Sequence, residues 1–191
     1  MPFSIDTFNN VFAYHVSKIN PASILDVGAG AGKYGKLIKS ILPCANVEGI
    51  EPTQKYIDDY VLNAIYNRVH CATIQDFAKN NPRNRYNMVI FGDVLEHFFR
   101  SEAMDYIDYF LYRSDWVLAL WPTFMPQDDA MDNAYEIHKS NFNLLDLATK
   151  FDIHHYEKKF AWYNNNDAHY QHAEYNYCLM KGSVTIRHLG A

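Results

Sequence analysis

Apolar residues at Ile5, Phe8, Phe12, Val16 and Ile19 recur every three or four positions, which predicts a leading amphipathic helix over 5–19. Asn20-Pro21 ends it, since the residue before a proline is pushed out of the helical region. Ser23 to Val27 is a short apolar run that stops at glycines, as a buried strand does. Helices are expected over Lys33 to Ile41, Thr53 to Ala64 and Ser101 to Tyr112. Strands are expected over Asn46 to Ile50, Val69 to Ile74, Met88 to Phe91 and Trp116 to Leu120. Helix and strand thus alternate at the spacing of βα units, which implies a mainly parallel sheet covered on both faces. Beyond Leu120 the pattern changes. Trp121 to Ser140 reads as a long loop, Asn141 to Lys150 as a helix, and 152–160 and 174–181 as strands around a polar segment, Trp162 to His172. Two final strands joined by one loop can pair antiparallel and close the sheet edge.

The chain has 191 residues, enough for one domain over 1–191 with a sizeable core, and no repeat or linker divides it. Net charge is −5 and no Lys/Arg run could neutralise a stretch of phosphates, so nucleic acid is not an expected partner. Cys44, Cys71 and Cys178 form no CxxC pair, and free thiols in a reducing compartment are expected. The N-terminus lacks a basic segment followed by an apolar run, and no stretch approaches the ~20 apolar residues of a membrane span. A cytoplasmic protein is the default expectation. Aromatic residues reach 16% of the chain, and some of the fifteen Tyr could line a wet cleft or an interface, including that of a homodimer.

The strongest local signal is Asp26-Val27-Gly28-Ala29-Gly30-Ala31-Gly32, a strand running into alternating glycines and then a helix. Without a Cβ the backbone can pass close to a ligand, and the turn aims a helix N-terminus at it. Such a turn also serves NAD and FAD. However, the dinucleotide fingerprint wants a third glycine where Lys33 stands. Asp26 would sit poorly beside a pyrophosphate and well beside an ammonium group. Glu51, directly after the second strand, is placed to accept ribose hydroxyls in either cofactor.

The segment Leu25 to Gly32 resembles the first motif of class I S-adenosylmethionine-dependent methyltransferases. Gly49-Ile50-Glu51-Pro52 resembles their second motif, and Gly92-Asp93-Val94-Leu95-Glu96-His97 their D-x-L-E-H segment. The resemblance covers residues 22–121. It implies a Rossmann-like three-layer α/β sandwich with a mainly parallel seven-stranded sheet, a C-terminal antiparallel hairpin, and S-adenosyl-L-methionine as cofactor. It further implies that Gly28, Ala29, Gly30 and Gly32 pack against the cofactor's amino-acid portion and ribose. Asp26 would lie near the ammonium, Glu51 with Pro52 at the ribose, and Gly92 and Asp93 at the sulfonium. Relatives often carry Gly-Asp after the third strand. Here Thr73 stands in the acid's place, leaving the Ile74 backbone and Asp76 as the adenine candidates. Asp93 and Glu96 also fit a helix capping box, and Asp76 an ordinary first-turn acid.

Methyl transfer needs alignment of nucleophile and methyl carbon, and a hydroxyl acceptor usually needs a base as well. His97 and His138 are the candidate bases, each with a structural role as the competing reading. His138 lies in Asn133-Ala134-Tyr135-Glu136-Ile137-His138-Lys139-Ser140-Asn141-Phe142. That stretch resembles an N-x-Y-E-x-H-x-S-x-W pattern of some bacterial and phage methyltransferases, with Phe142 where Trp is frequent. Trp121, Tyr135 and His138 are the expected acceptor-site residues. No HExxH or clean ligand spacing marks a metal site, so none is expected, and His169 and His172 read as loop residues of a Tyr-rich segment. There is no Asn/Asp-Pro-Pro-Tyr/Phe motif and no Pro-Cys nucleophile, which points away from DNA amino-methylation and cytosine C5 methylation. A small molecule or sugar/glycan-type acceptor remains. A noncatalytic S-adenosylmethionine- or S-adenosylhomocysteine-binding protein is the alternative, with an NAD-dependent oxidoreductase behind it.

Overall fold

The structure is a computed structural model that describes residues 6–128, 132–165 and 169–183, with main chain alone for 161–165 and 169–172. Along the chain run α1 (Asn9–Ile19), β1 (Ser23–Val27), α2 (Lys33–Ile41), β2 (Asn46–Ile50), α3 (Gln54–Asp59), β3 (Arg68–His70) and α4 (Ile74–Asn80). Then come β4 (Tyr86–Gly92), α5 (Arg100–Leu111), β5 (Ser114–Pro122), α6 (Leu144–Ala148), β6 (Ile153–Asn165) and β7 (His169–Lys181). The seven strands form one sheet in the order β3-β2-β1-β4-β5-β7-β6. The first five are parallel, and β7 pairs antiparallel with both β5 and β6.

Successive side chains of a strand face opposite sides of the sheet, and here both sides are apolar. Leu25, Val27, Val89, Phe91, Val117 and Ala119 face one side, against Ile74 and Phe77 of α4, Ala103 and Ile107 of α5, and Leu147 of α6. Ile24, Met88, Ile90, Leu118 and Leu120 face the other, against Phe12 and Val16 of α1, Ile38 of α2 and Ile57 of α3. This gives the expected three layers. The sheet order reverses between β1 and β4, so the carboxyl ends of those strands flank the crevice where open α/β sheets bind ligands.

Four expectations shift. The leading helix begins at Asn9; Ile5 lies outside the described residues. The helix expected over Thr53 to Ala64 breaks after Asp59. Val61 takes a left-handed conformation (φ 51°), which turns the chain so that Leu62 enters the core in a 3-10 turn, Leu62–Ala64. The third strand ends at His70, and Ile74 opens α4 instead. The Thr73 hydroxyl accepts the Asp76 amide at 3.1 Å, an N-cap that outcompetes strand continuation. Within the polar segment, residues 162–165 and 169–172 continue the ladder, pairing Trp162 with His172 and Asn165 with His169. No described helix is long and apolar enough to cross a membrane.

Candidate functional site

A cavity of about 390 Å³ opens at the carboxyl ends of β1, β2 and β4. Its floor is the glycine turn. Gly28 and Gly30 have φ of 74° and 50°, the left-handed region where glycine costs least. A Cβ on Gly28 would stand 2.6 Å from a Val94 methyl, so the turn is pressed against the chain leaving β4. A Cβ on Gly92 would stand 2.0 Å from the Tyr34 ring, which therefore packs closely against the end of β4. The Tyr34 hydroxyl donates to Asp93 at 3.2 Å.

The amides of the turn are nearly all engaged. Those of Gly28 and Ala29 donate to the Ile50 carbonyl at 3.0 and 2.9 Å, and that of Gly32 donates to Ala29 at 2.8 Å. The Gly30 amide donates to Glu51 Oε2 at 2.9 Å, and the Thr53 amide donates to Glu51 Oε1 at 2.9 Å. Glu51 thus seats a carboxylate on the turn. It is buried, and burial pushes its pKa up against the pull of those two amides.

Of the residues singled out in the sequence, Gly28, Ala29, Gly30, Glu51, Pro52, Ile74, Gly92, Asp93, His97 and Tyr135 share the cavity wall. Five do not. Asp26 is fully buried beneath the turn, where its Oδ2 accepts the Tyr66 hydroxyl at 2.6 Å and its Oδ1 has no partner. Burial raises its pKa to about 7, with Glu51 adding to the rise and Tyr66 and the Gly35 amide opposing it. Gly32 starts α2 with φ 76°, and a Cβ there would meet the Ile65 and Leu62 side chains rather than open space. Asp76 faces solvent and accepts the Thr73 hydroxyl at 2.8 Å, which makes it a first-turn acid and takes it away from the adenine position. Trp121 is wholly buried and donates its indole N–H to the Phe142 carbonyl at 3.2 Å. It is a core residue, and its expected contact with the acceptor is withdrawn. His138 stands one layer back. Its Nδ1 is bound to the Met125 carbonyl, and its ring meets the His97 ring edge-on at 4.7 Å.

Asp93 does not cap a helix. It sits at φ 53°, its amide donates to Leu120, and only a 3-10 turn (Leu95–His97) follows. The reach-back contact falls at α5, where Glu102 accepts the Phe99 amide at 3.1 Å. Glu96 is buried with its Oε2 unpartnered. Burial, aided by Asp93 and Glu136, raises its pKa far above the usual carboxylate range. His97 Nδ1 lies 3.3 Å from the Ile137 carbonyl. Burial lowers the pKa of His97 to about 4, against the pull of the Ile137 and Asp93 carbonyls, and that of His138 also to about 4.

The far wall adds residues that pattern reasoning missed. Phe99 and Glu102 come from the start of α5, and Asn133, Glu136 and Lys139 from the loop after β5. Phe99 and Tyr135 stay largely exposed at the rim, and the Lys139 ammonium stands 5.9 Å from the Phe99 ring centre. Lys33, half-buried near Asp93 and 3.3 Å from Asp6, completes the near wall.

No family model matches this sequence, and no curated protein resembles it at a significant level. Solved structures do share its fold. An O-methyltransferase family protein from Burkholderia thailandensis is 13% identical with a TM-score of 0.58, over 93% of this chain and 57% of that one. The N-methyltransferase NodS from Bradyrhizobium japonicum, in complex with S-adenosyl-L-homocysteine, is 10% identical with a TM-score of 0.57, over 92% of this chain and 88% of that one. The magnesium protoporphyrin IX methyltransferase from Synechocystis PCC 6803, with bound S-adenosylmethionine, is 14% identical with a TM-score of 0.56, over 88% and 74%. This chain therefore spans little more than half the length of the Burkholderia protein. The likeness shows the Rossmann-like fold of class I methyltransferases.

Proposed function

We propose that this chain binds S-adenosylmethionine in the cavity between β1 and β4 and passes its methyl group to a small-molecule or sugar-type acceptor. The observation that carries the reading is the state of the glycine turn. A pyrophosphate binds such a turn through free amides at a helix N-terminus. Here the amides of Gly28, Ala29, Gly30 and Gly32 are engaged, and Gly30 already holds a carboxylate, Glu51, which would repel an anion. A ligand with hydroxyls and positive charge suits this floor, and NAD does not. The glycine turn lines the cavity at Gly28 and Gly30 without a Cβ, which leaves room for the amino-acid portion of S-adenosylmethionine. The cavity volume is within the range of small-ligand pockets.

When bound, S-adenosylmethionine supplies an electrophilic methyl carbon on a sulfonium. The chain's own residues divide the remaining work. Glu51 accepts the ribose hydroxyls with the lone pairs its two amide contacts leave over. The Thr73–Gln75 main chain borders the adenine. Tyr34, lying over Gly92, excludes water from the bottom of the crevice and holds Asp93 in place. The acceptor enters between Phe99 and Tyr135, whose exposed rings suit a flat or ring-shaped molecule. His97 lines the wall and is the proposed acceptor of a hydroxyl's proton, although the burial that keeps its imidazole neutral also makes it a weak base.

Calorimetry with S-adenosylhomocysteine and with NADH tests the cofactor: binding of the first and none of the second is expected, and the reverse overturns the reading. Methyl transfer to a panel of hydroxylated small molecules and sugars then tests the activity. Tight binding with no transfer to any member favours the noncatalytic alternative.

A further inference from the structure

Behind the acceptor wall, three metal-ligating side chains from distant parts of the chain converge. Glu96 and His97 come from the 3-10 turn after β4, and His138 from the loop 41 residues later. One donor atom of each lies within 4.8 Å of those of the other two. We propose that Glu96, His97 and His138 form a binding site for a first-row divalent transition ion, zinc being the natural probe.

The orientation of the imidazoles is that of ligands. His97 turns Nδ1 to the Ile137 carbonyl and His138 turns Nδ1 to the Met125 carbonyl. In the tautomer that donates to these carbonyls, Nε2 of each ring carries a lone pair. Metal-ligating histidines are held in this way, the second nitrogen tied to a main-chain carbonyl. The two rings approach edge to face at 4.7 Å between centres, and one ring nitrogen of each lies within 4.8 Å of the other's.

The carboxylate supplies the independent observation. Glu96 is 2% exposed and its Oε2 has no hydrogen-bond partner. A buried polar atom left unpartnered costs free energy and asks for an explanation, of which an ion is one. A dication would supply the missing contact.

The donor set chooses the metal. Two imidazoles and one carboxylate suit zinc or its first-row neighbours, whereas magnesium and calcium prefer oxygen alone. A tetrahedral zinc ion with bonds of about 2.0–2.2 Å would draw its ligands to about 3.3 Å apart. Side-chain rotation can supply that closure. Three protein ligands leave one position for water or an acceptor oxygen, the arrangement of catalytic rather than structural zinc. His97 is the one of the three that lines the cavity, so the site meets the acceptor side through that ligand. This goes beyond the methyl-transfer reading and does not depend on it. It also excludes a free-base role for His97 while the ion is bound.

The test needs neither cofactor nor acceptor. Dialysis of the chelator-stripped full chain against zinc, followed by metal analysis, should leave one ion per chain. Loss of an outer partner of a metal ligand typically weakens binding 10–100-fold, so Glu96→Gln and His138→Ala should each weaken it by about a hundredfold or more. His155→Ala, in the separate His15–His155–Glu157 group, should leave that ion in place. Cobalt(II) loaded into the unaltered chain gives a readout independent of any variant's folding. Intense visible absorption of a four- or five-coordinate ion supports the site, and the spectrum of the six-coordinate aquo ion overturns it. Zinc retention below one ion per chain, or retention unchanged in both Glu96→Gln and His138→Ala, overturns it equally.

Discussion

The two walls of the cavity are built in different ways. The near wall is one continuous strand–turn–helix, Val27 to Tyr34, braced by a single acid 21 positions from the amide it holds. The far wall is assembled from the start of α5 and a loop held to the preceding 3-10 turn by contacts such as His97 to Ile137, which spans 40 positions. A local turn is dictated by its own residues, because glycine adopts these left-handed conformations at the least cost. A wall made of distant segments exists only once the whole sheet has formed. The first wall can therefore keep one ligand while the second changes with the acceptor, which is how sites are grafted onto a shared fold.

The comparison is broken most severely by testing whether the near wall carries the strain the structure gives it. Burial holds the pKa of Asp26 at about 7 in the folded chain, against an ordinary 3.8. Its neutral form thus favours folding: that contribution is complete below pH ~4, falls as pH rises, and is gone above pH ~7. The difference is on the order of 4 kcal/mol. Asp26→Asn stays neutral throughout, so urea unfolding should show a flatter stability profile between pH 4 and 7. An unchanged profile would mean that Asp26 is not the buried acid described here.

Binding tests come next. Gly30→Val places a branched side chain at φ 50° on the cavity floor. We expect S-adenosylhomocysteine affinity to fall by about a hundredfold or more, beyond the ~1–2 kcal/mol of left-handed strain. Calorimetry alongside circular dichroism separates lost binding from lost folding. Glu51→Ala removes a charged hydrogen-bond acceptor worth roughly 1.5–3 kcal/mol, so affinity should drop about ten- to a hundredfold. Affinity equal to the parent's would mean that Glu51 serves only to tie the amides of Gly30 and Thr53.

The same division governs what could be read from the sequence. The parallel sheet covered on both faces, the closing antiparallel pair and the glycine turn were legible in periodicity and a local motif, because each strand's burial is written in its own residues, whereas the strand order was not. The break at Val61 was hidden, since a β-branched residue gives no warning of a left-handed turn. The α4 start was legible in Thr73 and Asp76, spaced as a capping pair, but the apolar Ile74 was taken into the preceding strand. Trp121 was assigned to the acceptor from its place in a loop. β5 in fact runs on to Pro122, and antiparallel pairing with Asn176 of β7 encloses the indole. Glu96 and His138 were legible singly but not as neighbours, because only folding brings their segments together.

The smallest expected effect tests whether the walls act independently. Asn133, on the far wall, donates from Nδ2 to the Thr53 hydroxyl at 3.2 Å, while its Oδ1 accepts the Tyr135 amide at 3.1 Å. Thr53 in turn presents its amide to Glu51. This chain of contacts joins the acceptor rim to the residue proposed to hold the ribose. If it transmits order, Asn133→Ala should weaken S-adenosylhomocysteine binding although Asn133 belongs to the acceptor side. One neutral hydrogen bond sets the scale, about 0.5–1.5 kcal/mol, or roughly two- to tenfold in affinity. Thr53→Val, which removes the hydroxyl and keeps the amide, should cost a similar amount. The double variant decides the matter: coupled walls give a combined loss smaller than the sum by about the energy of that bond, whereas losses that simply add show two walls that share a cavity without sharing free energy.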